Sequence, residues 1–186
     1  MPHVVITGCS SGIGLEAALA FARAGYTVTA TVRDPARATR LRERAAAEGL
    51  AVAIETLDVT QSATFAPFVE RLLAREGRID VLVNNAGVLP VGAFEDIPED
   101  EFRAVMEANF FGPAVLSRAV LPAMRRQRSG CIIMLSSLSG MAARAGDTAY
   151  AASKFALEGL TEALRQEVAR WNIRTALVHP AQYATG

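Results

Sequence analysis

The stretch HVVITGCSSGIGLEAALAFA, residues 3–22, decides how the rest of this chain is read. It enters as a short β-branched run and leaves as a helix pattern, with Leu15, Ala18, Leu19 and Ala22 at helical spacing. Between the two, TGCSSGIG (residues 7–14) places three glycines in one turn. Gly8 permits a tight turn, Gly12 leaves room for a ligand to approach the backbone, and Gly14 lets the helix pack close to the strand. The free N–H groups and positive dipole at the start of such a helix suit an anion, a phosphate above all.

Outward from that turn, strand and helix patterns alternate. Residues 26–32 alternate as a strand, 35–48 read as a solvated helix closed by Gly49, and 51–57 read as a strand. Phe65, Val69, Leu72 and Leu73 mark a third helix closed by Gly77, followed by a buried strand over 79–83. One long helix is expected from about 98 to 126, then a strand over 131–135, a helix over 150–171 and a strand over 173–178. Apolar strands joined through helices predict a doubly wound α/β fold, a Rossmann-type parallel sheet of six strands with helices on both faces. No linker or repeat divides residues 1–186, so a single dinucleotide-binding domain is expected.

Composition narrows the function. Nineteen basic and nineteen acidic residues give a formal net charge of zero, which offers no field for nucleic acid. No apolar run approaches the roughly 18 residues of a membrane span, and the start lacks a signal-peptide pattern. A cytoplasmic protein is expected, with no membrane partner. Cys9 and Cys131 are too few for a disulfide framework, and His3 and His179 have no companion ligands for a metal.

The glycine spacing, Gly8-x-x-x-Gly12-x-Gly14, is wider than the common dinucleotide fingerprint. Together with Asp58-Val59, NNAG at 84–87, Asn109, Ser137 and YAASK at 150–154, it resembles the short-chain dehydrogenase/reductase family over nearly the whole chain. The wording of TGCSSGIG, TATVRDP and YAASKFALEGL is most similar to members acting on steroids, retinoids or other lipophilic alcohols.

The chemistry can be followed from residue types. Tyr150 and Lys154 are four apart on one helical face. A free phenol, with a pKa of about 10, is a poor base at neutral pH, and a nearby ammonium stabilises its phenolate. Ser137 lies just past an apolar strand, where ligands of such sheets bind, and precedes Tyr150 by the family spacing; Ser136 and Ser139 are its neighbours and rivals. If the helix over 98–126 is continuous, the carbonyl of Asn109 should accept from residue 113, which is Pro113 and has no N–H. That carbonyl is left free and a kink is expected.

The resemblance implies the remaining roles. Ser137 would hydrogen-bond the substrate oxygen, Tyr150 would exchange its proton, and Asn109 would anchor a water leading to Lys154. Gly8, Ser10, Ser11, Gly12, Ile13 and Gly14 would hold the cofactor's phosphates. Asp58 and Val59 would meet the adenine, and Asn85, Ala86 and Gly87 its adenosine side. Tyr150, Lys154, Pro180 and Thr185 would lie along the nicotinamide half. Val32 stands where NAD-binding members carry an acid, and Arg33 follows it, so NADP(H) is favoured over NAD(H). A small shift in register would instead make Asp34 the ribose acid.

Two features depart from the family. Ala181 stands where members carry a glycine after Pro180, and members are usually longer, so this stretch is expected either to be part of a longer chain or to lack the substrate-covering segment and seventh strand of the family. The expected function is hydride transfer between NADP(H) and a lipophilic secondary alcohol or carbonyl, in a homodimer or homotetramer. The alternative is a nucleotide-binding scaffold without turnover.

Overall fold

The structure is a computed structural model, described here for residues 1–180. Six parallel strands form one sheet in the order β3-β2-β1-β4-β5-β6. They are β1 (His3–Ile6), β2 (Thr27–Val32), β3 (Val52–Thr56), β4 (Val81–Asn84), β5 (Gly130–Leu135) and β6 (Ile173–Val178). The chain runs outward from β1 to β3, then returns to β4 and runs outward the other way. The direction therefore reverses between β1 and β4, where such sheets open a crevice at their carboxyl ends.

Strand alternation sorts the core into two layers. Val5, Leu82, Ile132 and Met134 face α3 (Phe65–Glu76), α5 (Gly112–Gln127) and α6 (Thr148–Val168), packing on Phe68, Leu72, Leu116, Met124 and Leu157. Val4, Ile6, Val28, Ala30 and Val32 face α1 (Gly12–Arg23) and α2 (Thr39–Ala47), packing on Leu15, Leu19 and Leu41. Each such side chain, fully buried, contributes roughly 1.5–3 kcal/mol. On the α1 side the outer strands are less covered: Cys131 and Ile133 are half-buried and Val178 is exposed, whereas Ile132 and Met134 on the other face are fully buried.

Two helices differ from expectation. Residues 35–48 are not one helix: Asp34 accepts from the Ala36 N–H and caps a 3-10 turn over Pro35–Ala38, and α2 begins only at Thr39. The long helix over 98–126 is also interrupted. It comprises α4 (Glu99–Met106), a π-helical turn over Glu107–Phe111, and α5. In the π turn the Gly112 N–H reaches back to the Glu107 carbonyl. Pro113 cannot donate to Asn109, so the regular ladder fails there and the chain takes up an extra residue, as π-bulges do. Gly112 is required at this bend, because a Cβ there would lie 2.3 Å from the Val59 carbonyl oxygen. The bulge thus presses the helix against the loop after β3 and brings Ala108 into the crevice.

Candidate active site

The crevice is built on Thr7, the last residue before the glycine turn. Its hydroxyl accepts the N–H groups of Asn85 and Ala86, both at 3.0 Å. The Asn85 carboxamide returns two bonds, to the carbonyls of Thr7 (2.9 Å) and Gly8 (3.0 Å). The ends of β1 and β4 are laced together in this way. Thr7 was missed as a site residue from the sequence; a threonine closing a strand directly before a glycine turn was the available signal.

The glycines have separate reasons. Gly8 has φ +72° and lies so close to Ala86 that a Cβ would stand 2.8 Å from its Cα. A Cβ on Gly14 would stand 2.4 Å from both Asn85 Nδ2 and the Gly8 carbonyl oxygen. Gly14 is therefore buried beneath the turn. Gly8, Ser10, Ser11, Gly12 and Ile13 line a cleft of about 440 Å³ above it.

The far wall of that cleft carries the other residues expected to hold a cofactor. Asp58 and Val59 lie there, with the Asp58 carboxylate accepting from the Thr60 N–H (2.9 Å) and hydroxyl (2.8 Å). Asn85, Ala86 and Gly87 close the inner end. Val32 is buried, and Arg33 follows it on the exposed rim. Arg37, which the sequence reading did not single out, joins Arg33 on that rim because the 3-10 turn folds it back. The carboxylate of Asp34 is engaged in capping that turn. A dinucleotide fits this donor set: a glycine cradle without side chains, free N–H groups at the start of α1, and two guanidinium groups beside a buried valine.

A second cavity, of about 780 Å³, continues from the first, since Ile13, Asn85, Gly87 and Val88 line both. Ser137, Tyr150, Lys154 and Pro180 line it. Thr185 lies outside the described residues, as does Ala181. The three serines after β5 are distinguished by their partners. The Ser136 hydroxyl bonds Glu158, and the Ser139 hydroxyl donates to Asp147 at 3.3 Å; both serines are buried. Ser137 is half-buried in extended backbone, and its Oγ accepts the Ser139 N–H at 3.1 Å, leaving its hydroxyl proton uncommitted among the described contacts.

Lys154 is 5% exposed, its Nζ donating to the Leu135 carbonyl at 2.6 Å and lying 5.5 Å from the Tyr150 ring centroid. Burial pulls its ammonium pKa down to about 8, opposed by the negative charge of Glu158 one turn further on. Asn109 is fully buried and held away from solvent by Val88 and Ser153, with both it and Lys154 flanking Gly87. Its carboxamide is committed to these contacts. Burial pushes the Cys9 thiol up to about 12, which fits an inert filler in the glycine turn. No group of metal ligands occurs among the described residues, and none of their helices is long and apolar enough to cross a membrane.

Comparison with known proteins places this geometry. A family model described as short chain dehydrogenase matches residues 2–186. An uncharacterized oxidoreductase YusZ of Bacillus subtilis is 42% identical over 97% of this chain and 65% of its own length. Retinol dehydrogenase 8 of Bos taurus is 42% identical over 98% of this chain and 59% of its own. The chain thus spans less than two thirds of the length of these curated relatives. Among solved structures, a short-chain dehydrogenase from Streptomyces avermitilis superposes with a TM-score of 0.93 at 42% identity, covering 100% of this chain and 67% of its own. A metagenomic short-chain oxidoreductase in complex with NADP gives 0.92 at 35% identity, covering 98% and 83%. On the family match, these identities and the shared sheet, the chain belongs to the short-chain dehydrogenase family.

Proposed function

We propose that the protein is an oxidoreductase that interconverts a lipophilic secondary alcohol and its carbonyl with NADP(H) as hydride carrier. The observation that carries this is the Tyr150–Lys154 pair opening into the same groove as the glycine turn. When bound, the dinucleotide supplies or accepts the hydride at its nicotinamide ring. The chain's own residues bind, orient and handle the proton. Ser137 donates to the substrate oxygen. Tyr150 transfers a proton to that oxygen in reduction and removes it in oxidation, and the Lys154 ammonium stabilises the phenolate that results. The Asn109 carbonyl holds a water toward Lys154 through which the proton is replaced. An apolar rim of Leu89, Leu138 and Met141, each more than half exposed, suits a lipophilic substrate. The names of relatives such as retinol dehydrogenase 8 and 3-ketodihydrosphingosine reductase point the same way.

The test is NADPH oxidation by the purified full-length protein over a panel of apolar ketones and aldehydes, beside Tyr150→Phe. Turnover by the wild type, lowered about 100-fold or more in the variant with NADPH affinity retained, supports the proposal. NADPH binding without turnover on any carbonyl would favour a nucleotide-binding scaffold. Near wild-type turnover in Tyr150→Phe would remove Tyr150 from the mechanism.

A further inference from the structure

Glu158 lies on α6 one turn beyond Lys154, outside the residues assigned above. Its Oε1 accepts from the Ser136 hydroxyl and pairs with His179 Nε2 at 2.8 Å. The cluster is shielded, with the Glu158 and His179 side chains 17% and 28% exposed and Ser136 buried. The turn over Leu138–Gly140 lies directly on it: a Cβ on Gly140 would stand 2.8 Å from Ser136 Oγ and 3.2 Å from Glu158 Oε1. Three elements meet at this one carboxylate. Ser136 directly follows β5, with its N–H donating to the Val178 carbonyl at 2.8 Å, and immediately precedes Ser137. His179 follows β6 and immediately precedes Pro180. Ser137 and Pro180 both line the substrate cavity.

The order of the groups decides what they can do. A nucleophile-activating triad places the imidazole in the middle, between hydroxyl and carboxylate. Here the carboxylate is in the middle, so the serine is held rather than activated. We propose that Glu158 is a positioning residue for the proton transfer: it clamps Ser136 and His179, fixing Ser137 and Pro180 against α6, and keeps a negative charge beside the Lys154 ammonium. The proposal rests on the assignment of Tyr150 and Lys154 as the proton-handling pair. The titratable or charged groups facing Glu158 are Lys154, Glu162 and Arg165 on its own helix and His179 at the end of β6. The ends of β5 and the Leu138–Gly140 turn present only serines and apolar groups. Lys154 is the one of these that also lines the substrate cavity.

The experiment uses the full-length protein and separates charge from clamp. Glu158→Gln keeps an oxygen for the Ser136 hydroxyl and loses the charge. It should retain KM within about threefold, and the alkaline limb of its kcat profile should move down by roughly half to one pH unit, because the Lys154 ammonium loses a stabilising neighbour. Glu158→Ala also loses the clamp and should lower kcat a further 10-fold or so. Glu158→Asp, which restores the charge, should return the limb toward its wild-type position. An NMR titration of the Lys154 side chain gives a readout independent of turnover, and its midpoint should fall in Glu158→Gln. An unchanged midpoint and superimposable profiles would overturn the proposal. Retained turnover in Tyr150→Phe would instead overturn the proton-handling assignment, while the NMR midpoint would still report on Glu158.

Discussion

Asn109 grips Val88 at both of its backbone polar groups: its Oδ1 accepts the Val88 N–H at 2.8 Å and its Nδ2 donates to the Val88 carbonyl at 2.9 Å. The same Nδ2 reaches Ser153 Oγ at 3.1 Å, and that hydroxyl donates to the Tyr150 carbonyl at 2.6 Å. One buried carboxamide therefore ties the loop after β4, the π turn and the first turns of α6.

Replacing Asn109 by Ala leaves several buried polar groups unpaired. The loss should be about 2–4 kcal/mol, read as a lower urea midpoint with unchanged slope. A loss below about 0.5 kcal/mol would mean that water restores the connections.

Gly14→Ala and Gly159→Ala should differ in sign. The new methyl at 14 meets Asn85 and the Gly8 carbonyl at 2.4 Å, so the turn must shift; cofactor affinity should fall about 10-fold or more and stability by about 1–3 kcal/mol. At 159, inside α6, nothing lies within 4 Å, and alanine should stabilise by about 0.5–1 kcal/mol. Thermal unfolding and calorimetric cofactor titration check both.

Lys154 should leave a mark on stability against pH. Its folded pKa, about 8, lies below the ordinary 10.5, so between these values the unfolded chain binds more protons. Stability from this group therefore rises with pH across that window, and below pH 8 its buried charge costs on the order of 1–3 kcal/mol. Lys154→Met should abolish turnover, raise stability at pH 7 and flatten that rise relative to wild type. Chemical unfolding at pH 7, 8.5 and 9.5 would show the difference, and parallel curves for the two proteins would refute it.

Cofactor choice should follow the rim of the first cleft. A charge-assisted bond from Arg33 to a 2′-phosphate contributes roughly 1.5–3 kcal/mol, on the order of a 10- to 100-fold preference for NADPH. Arg33→Ala should weaken NADPH and spare NADH, Arg37→Ala should do so to a smaller degree, and Val32→Asp should reverse the preference. Calorimetry with both cofactors decides it, and tighter NADH binding by the wild type would place Asp34 at the ribose.

Phe111 in the π turn and Phe155 on α6 are each 47% exposed, and in the expected homodimer a second copy should cover them. Phe155→Glu should then lower the sedimentation coefficient from dimer to monomer. A wild type that is monomeric at micromolar concentration would exclude this surface.

The succession of strands and helices, the glycine turn and the Tyr150–Lys154 face were legible from residues alone because they are local: alternation, helical spacing and glycine placement act within a few neighbours. The fault in the long helix was also legible, since Pro113 lacks the donor that Asn109 needs. Its outcome was not. The π turn that forms seats Gly112 against the Val59 carbonyl, a neighbour that only the fold brings there. The division of labour among Ser136, Ser137 and Ser139 was likewise open in the sequence, where three hydroxyls within four positions look alike. Tertiary structure separated them by giving Ser136 to Glu158, Ser139 to Asp147, and only Ser137 an uncommitted proton facing the cavity. Sequence periodicity records which face a residue occupies, whereas hydrogen-bond partners distant in the chain are chosen by the packing of whole elements. That is why Thr7, Arg37 and Glu158 emerged only once β1 met β4, the 3-10 turn folded back, and β6 closed on α6.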